Sequence, residues 1–97
     1  MNSKKTIIII PAYEPPQEFI EYAKQVSKHA KKLIVVNDGS SQKYDFIFEE
    51  IAAIENVKYI SYRENHGKGY ALKQALRYSI ENFDESQTRR YFHIKSN

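Results

Sequence analysis

The sequence contains no cysteine, which excludes a disulfide framework, a thiolate metal site and a cysteine nucleophile. It also lacks a long apolar run. The longest, residues 7–12, falls far short of the roughly 20 residues that span a bilayer. The basic start Met1-Asn2-Ser3-Lys4-Lys5 leads into only about half the apolar stretch of a signal peptide, broken by Pro11 and Glu14. No membrane segment is expected, and a cytoplasmic setting is the default. A large excess of one charge is missing too. The net charge is +3 and the pI about 9.1, but the lysines are scattered among acids on helix faces, so nucleic acid is not an expected partner. The densest basic group, Lys24, Lys28, Lys31 and Lys32, falls at the end of the first predicted helix, where lysine complements the helix dipole.

What is present suits one domain. A chain of 97 residues buries about 65% of its unfolded surface, enough for one core and no separate substrate domain. A content of 41% hydrophobic and 28% charged residues belongs to a folded globular chain rather than a disordered one. Residues 6–10 are all β-branched. That pattern marks a strand buried on both faces, as in a parallel sheet covered by helices, and Pro11 is expected to end it. Pro15-Pro16 can open a helix, and Phe19, Ala23, Val26 and Ala30 recur at helical spacing over about four turns.

A second buried strand over 33–36 runs into Asn37-Asp38-Gly39-Ser40-Ser41. Phe46, Ile47, Ile51 and Ile54 stripe a second helix, with Ser40 or Ser41 available as its cap. Residues 57–62 form a third strand and 65–69 a turn, and Leu72, Ala75, Leu76, Ile80 and Phe83 stripe a third helix. After a polar connector over 84–90, Tyr91 begins a fourth strand. The order β-α-β-α-β-α-β predicts an α/β fold: an open, mostly parallel, Rossmann-like sheet with right-handed crossovers. Ligands of such sheets sit outside the carboxyl ends of the strands. Three turn-like segments fall on that edge, namely 11–14, 37–41 and 65–69.

Local chemistry leaves the role of each segment open. Asp38 could accept hydrogen bonds from a base or ribose, with Gly39 allowing close backbone approach and the Ser40 and Ser41 amides favouring an anion. Equally, Asp, Gly and Ser are ordinary turn and cap residues. Gly67-Lys68-Gly69 lacks the spacing and the following Ser or Thr of a P-loop. Its glycines serve a tight turn into the third helix, and Lys68 is either solvated or a diphosphate contact. His66 is a lone loop histidine without metal-ligand partners.

The three blocks Ile7-Ile-Ile-Ile-Pro-Ala-Tyr-Glu14, Leu33-Ile-Val-Val-Asn-Asp-Gly-Ser-Ser41 and Asn65-His-Gly-Lys-Gly-Tyr-Ala71 resemble, in order and spacing, the start of family 2 glycosyltransferases with the GT-A fold. The resemblance covers residues 6–83 and implies that 1–97 is the N-terminal, nucleotide-sugar-binding portion of such a domain. The implied activity is transfer of a sugar from a nucleotide donor, a UDP-sugar by preference, to an acceptor with inversion. Carried over, Pro11, Ala12, Tyr13 and Glu14 line the nucleotide pocket and Asp38 contacts the base, while Gly39, Ser40, Gly67 and Lys68 complete the binding loops. Glu14 departs from the family pattern, in which asparagine and then glutamate often follow the tyrosine.

The resemblance also implies a divalent cation, Mn or Mg, held by an Asp-x-Asp or Asp-Asp pair at the end of the next strand. Here that strand reads Tyr91-Phe-His-Ile-Lys-Ser-Asn97, with no acid after Glu85. Asp84 and Glu85 precede the strand and read as surface residues. No residue of the chain is therefore assigned to metal, and none to catalysis, since the family's general base would lie further on. The ending reads as a shortened gene product or a cut one, little active alone, whose exposed sheet edge favours self-association. A non-catalytic nucleotide-binding or regulatory module is the alternative, ahead of a basic RNA-interaction module.

Overall fold

A computed structural model describes residues 6–82 and the strand 91–94. The elements, in order, are β1 (Thr6–Ala12), α1 (Phe19–Ser27), β2 (Lys32–Asp38), a 3₁₀ turn (Gln42–Tyr44), α2 (Asp45–Ala52), β3 (Val57–Tyr62), α3 (Lys68–Asn82) and β4 (Tyr91–Ile94). The strands make one open sheet in the order β3-β2-β1-β4, and every pairing is parallel. The expected α/β class and Rossmann-like topology are both present.

Two layers of helix sandwich the sheet because the strands are apolar on both faces. Along β1 and β2, Ile8, Ile10, Leu33 and Val35 face α1 and α2, where Phe19, Ala23, Ile47, Phe48 and Ile51 complete one core. Ile7, Ile9, Ile34 and Val36 face α3 and meet Ala71 and Ala75. Each fully buried side chain of this size contributes roughly 1.5–3 kcal/mol.

Several local expectations are corrected. Pro11 does not end β1: it pairs with Val36, and Ala12 pairs with Asn37. Among the described residues the pairing with β4 reaches Ile9, so the strand neighbour described for Pro11 is β2 alone, and a missing N–H is tolerated where a strand is paired on one side. Pro15-Pro16 precede α1 instead of opening it; the Phe19 amide donates to the Pro16 carbonyl at 3.0 Å. The same helix stops at Ser27, short of Ala30. There Lys28, His29 and Ala30 bond back three residues, the tightening common at helix ends.

Neither Ser40 nor Ser41 makes a side-chain cap, and a 3₁₀ turn separates them from α2. On α2 the buried face is Ile47, Phe48 and Ile51, whereas Phe46 is 51% exposed. On α3 the row pressed to the sheet is Ala71, Ala75 and Ser79. Leu72 and Leu76 flank that row, and Ile80 is 69% exposed. Phe83 and the connector carrying Asp84 and Glu85 lie outside the described residues.

Candidate functional site

The site begins with the alternation of β2. Successive residues of a strand point to opposite faces, so Asn37 follows Val35 toward α2 while Asp38 follows Val36 toward α3. Both are buried, at 6% and 4% exposure. A buried polar group is costly unless it is hydrogen-bonded; each of these two bonds a tyrosine of β3 and, beyond it, a different loop.

Asn37 serves the first loop. Its Nδ2 donates to the Tyr59 hydroxyl at 2.9 Å, and its Oδ1 accepts the Ser40 amide at 3.0 Å. Ser40 Oγ in turn accepts the Glu14 amide at 2.8 Å. Glu14 sits in the left-handed region with φ of 49°, a conformation that costs a non-glycine residue about 1–3 kcal/mol unless its surroundings hold it. The bond to Ser40 is that hold. It ties the end of β1 to the end of β2. The Ser40 amide is therefore committed to Asn37 rather than open to an anion.

Asp38 serves the third loop. Oδ1 accepts the Tyr62 hydroxyl at 2.8 Å and the His66 amide at 2.9 Å. Oδ2 accepts the Gly67 amide at 2.9 Å and Asn65 Nδ2 at 3.1 Å, a nitrogen that also reaches the Asp38 carbonyl. A carboxylate offers about four acceptor positions, and protein donors fill all of them. Gly67 has φ of 93°, the backbone this turn needs before α3 begins at Lys68.

Beside this clamp stand three rings. Tyr62 and Tyr70 meet nearly perpendicular at 5.0 Å, and His66 lies 4.3 Å from Tyr70 and 5.7 Å from Tyr62. His66 Nε2 is 3.9 Å from Glu64 Oε1. Burial, reinforced by the neighbouring Asp38 carboxylate, holds the Tyr62 phenol well above its usual range.

Six of the nine residues singled out from the sequence line one cleft of about 210 Å³: Pro11, Ala12, Tyr13, Asp38, Gly67 and Lys68, joined by Asn65. Glu14, Gly39 and Ser40 do not line it. Gly39 has φ of 75°, and a Cβ there would strike the Asn65 amide and the Glu64 carbonyl carbon. Its close approach is to the third loop. A separate polar groove of about 610 Å³ is lined by Asn37, Ser40, Gln42, Asp45, Tyr59, Ser61, Tyr62 and Arg63. Among the described residues no three acids or histidines gather to hold a metal ion. Asp38, the acid at the cleft, is already saturated. The described residues therefore do not fit the cation that the resemblance implies.

Sequence reasoning missed Tyr59 and Tyr62. Both contacts follow from strand register, which pairs Tyr62 of β3 with Asp38 and which the apolar pattern of the sequence does not specify. Among the described residues no helix is long and apolar enough to cross a membrane.

An uncharacterized protein of Methanocaldococcus jannaschii is 32% identical over 76 residues, which is 76% of this chain and 33% of that protein. The chain thus spans about a third of the length of this curated relative. Among solved structures, a mannosyltransferase from Pyrobaculum calidifontis in complex with GDP-Man and Mn2+ superposes with a TM-score of 0.60. It is 20% identical, and the match covers 76% of this chain and 24% of that one. The shared feature is the fold, the Rossmann-like part of a GT-A glycosyltransferase. Residues 7–83 match the family described as glycosyl transferase family 2, and the chain belongs to that family.

Proposed function

We propose that residues 1–97 form the donor-binding portion of a glycosyltransferase, taking a nucleoside-diphosphate sugar at the carboxyl edge of the sheet. The observation that carries this reading is the convergence of Pro11, Ala12, Tyr13, Asp38, Gly67 and Lys68 on one cleft. The polar and apolar parts of that cleft divide the work. Tyr13, 48% exposed, offers a ring face for a base or ribose, and Lys68 supplies a cation for the diphosphate. Its place at the mouth of the same cleft as Tyr13 puts that cation within reach of a phosphate attached to a nucleoside stacked there. Asp38 reads the base by giving up one protein donor. The exposed Asn65 amide, at 3.1 Å, is the bond that yields most cheaply.

At about 210 Å³ the cleft is smaller than the roughly 300 Å³ at which ligand pockets begin. It holds the nucleoside end of a donor, and the sugar extends beyond it. Transfer to an acceptor, with inversion by direct displacement, needs a general base and acidic residues, and residues 86–97 contain no acid. We therefore infer that residues 1–97 bind the donor and turn over little alone. The base preference covers uracil and guanine, since a carboxylate accepts N–H donors from either.

Calorimetric titration with uridine diphosphate and guanosine diphosphate, with and without manganese, tests the reading. Tyr13→Ala and Lys68→Ala are the informative variants, because neither side chain holds the fold together. Each should weaken binding by about tenfold, corresponding to about 1.4 kcal/mol. Binding by neither nucleotide, or binding indifferent to both substitutions, would sink the proposal. Manganese-independent binding would agree with a site built without acidic ligands.

A further inference from the structure

We propose that Tyr62 is a positioning residue for this cleft, acting through Asp38 on the 65–67 turn; the proposal rests on the nucleotide-binding reading above. Tyr62 does not line the cleft, whose wall includes Asp38, Asn65 and Gly67. It stands beside Asp38 in the β2–β3 register and donates its hydroxyl to Oδ1 at 2.8 Å. That oxygen also accepts the His66 amide, so the tyrosine fixes the carboxylate that fixes the turn.

The ring itself has little freedom. Tyr70, in the first turn of α3, meets it edge-on at 5.0 Å, and His66 lies 5.7 Å away. These two rings stand 4.3 Å from each other, so they pack the phenol from one side, and its hydroxyl is aimed by its bond to Asp38 Oδ1. Burial beside Asp38 keeps the hydroxyl proton in place far into the alkaline range. Without the hydroxyl, Oδ1 would keep one donor and the carboxylate could rotate. His66 and Gly67 would then lose the fixed acceptor that sets the height of the cleft wall.

The test is Tyr62→Phe, which keeps the ring and removes only the hydroxyl. Amide hydrogen exchange at His66 and Gly67 should quicken by about tenfold, with the amides of Ile34 and Val36 unchanged. Affinity for uridine diphosphate or guanosine diphosphate should fall by about tenfold. Val57→Ala, at the far end of the same strand, is the control: it should lower the melting temperature and leave affinity alone. Exchange and affinity at wild-type values in Tyr62→Phe would overturn the proposal. So would an affinity loss that Val57→Ala reproduces at equal melting temperature. If the wild-type chain binds neither nucleotide, the donor-binding reading fails instead. Exchange then decides alone, with unchanged protection at His66 and Gly67 overturning the positioning role and faster exchange supporting it.

Discussion

The backbone of Gly39 lies so close to Asn65 that no methyl group fits between them. Gly39 also has φ of 75°, in the left-handed region where a side chain is strained. Both effects act together in Gly39→Ala. We expect a loss of about 3 kcal/mol or more, read as a fall in the urea midpoint with an unchanged slope. A wild-type midpoint would mean that the third loop can move away from Gly39 at no cost.

Asp38→Ala should be still more damaging. It leaves four donors facing an empty space, two of them the main-chain amides of His66 and Gly67. The expected loss is about 3–5 kcal/mol, measured by chemical denaturation. Asp38→Asn should cost less, since one oxygen remains, although its new amide faces other donors. Loss of nucleotide binding in Asp38→Ala therefore reports on the turn as well as on any base contact. Equal stability of Asp38→Ala and wild type would show that the clamp is not needed.

The clamp also has an alkaline limit. Burial and the Asp38 carboxylate raise the folded-state phenol of Tyr62, whereas the unfolded chain titrates near pH 10. Above that pH the folded state binds the extra proton, so the stabilisation is complete below pH 10 and declines as pH rises further. Denaturation midpoints at pH 9 and pH 11 should differ more for wild type than for Tyr62→Phe. Parallel pH profiles for the two proteins would contradict the assignment.

Most of the fold could be read from apolar runs. Residues 6–10 and 33–36 are continuously apolar or β-branched, and a strand buried on both faces requires that pattern. The cleft was legible only as three loops at one edge. Its internal bonds were not, because the partners of Asp38 lie 24 to 29 residues away and depend on a strand register that periodicity does not specify. The helix faces went wrong where large side chains misled. Phe46 and Ile80 looked like core, but the rows nearest the sheet use Phe48 on one side and alanines on the other.

The small residues of α3 give a packing prediction. Ala71 and Ala75 are fully buried against β1 and β2, which lets the helix lie close to the sheet. Ala75→Leu adds volume where none is free and should cost about 1–3 kcal/mol, seen as a lowered melting temperature. Because α3 begins at Lys68, the displaced helix should also weaken nucleotide binding. An unchanged melting temperature would imply slack in this layer.

Among the described residues β3 and β4 each pair with one neighbour only, and an unpaired strand edge is a template for another chain. We expect the protein to self-associate as concentration rises, with light scattering as the measurement. A monomer of constant mass at high concentration would count against this.

The opposed directions of Asn37 and Asp38 make the loops hostage to the count of residues in β2. Deleting one residue from 33–36 would shift everything after it by one place and reverse both side chains. The carboxylate would then point toward α2 and the amide toward the turn at 65–67. A change far from any ligand, with no substitution at the cleft, would dismantle both loop anchors at once. The length of that short apolar strand is therefore as much a part of the site as the residues at its end.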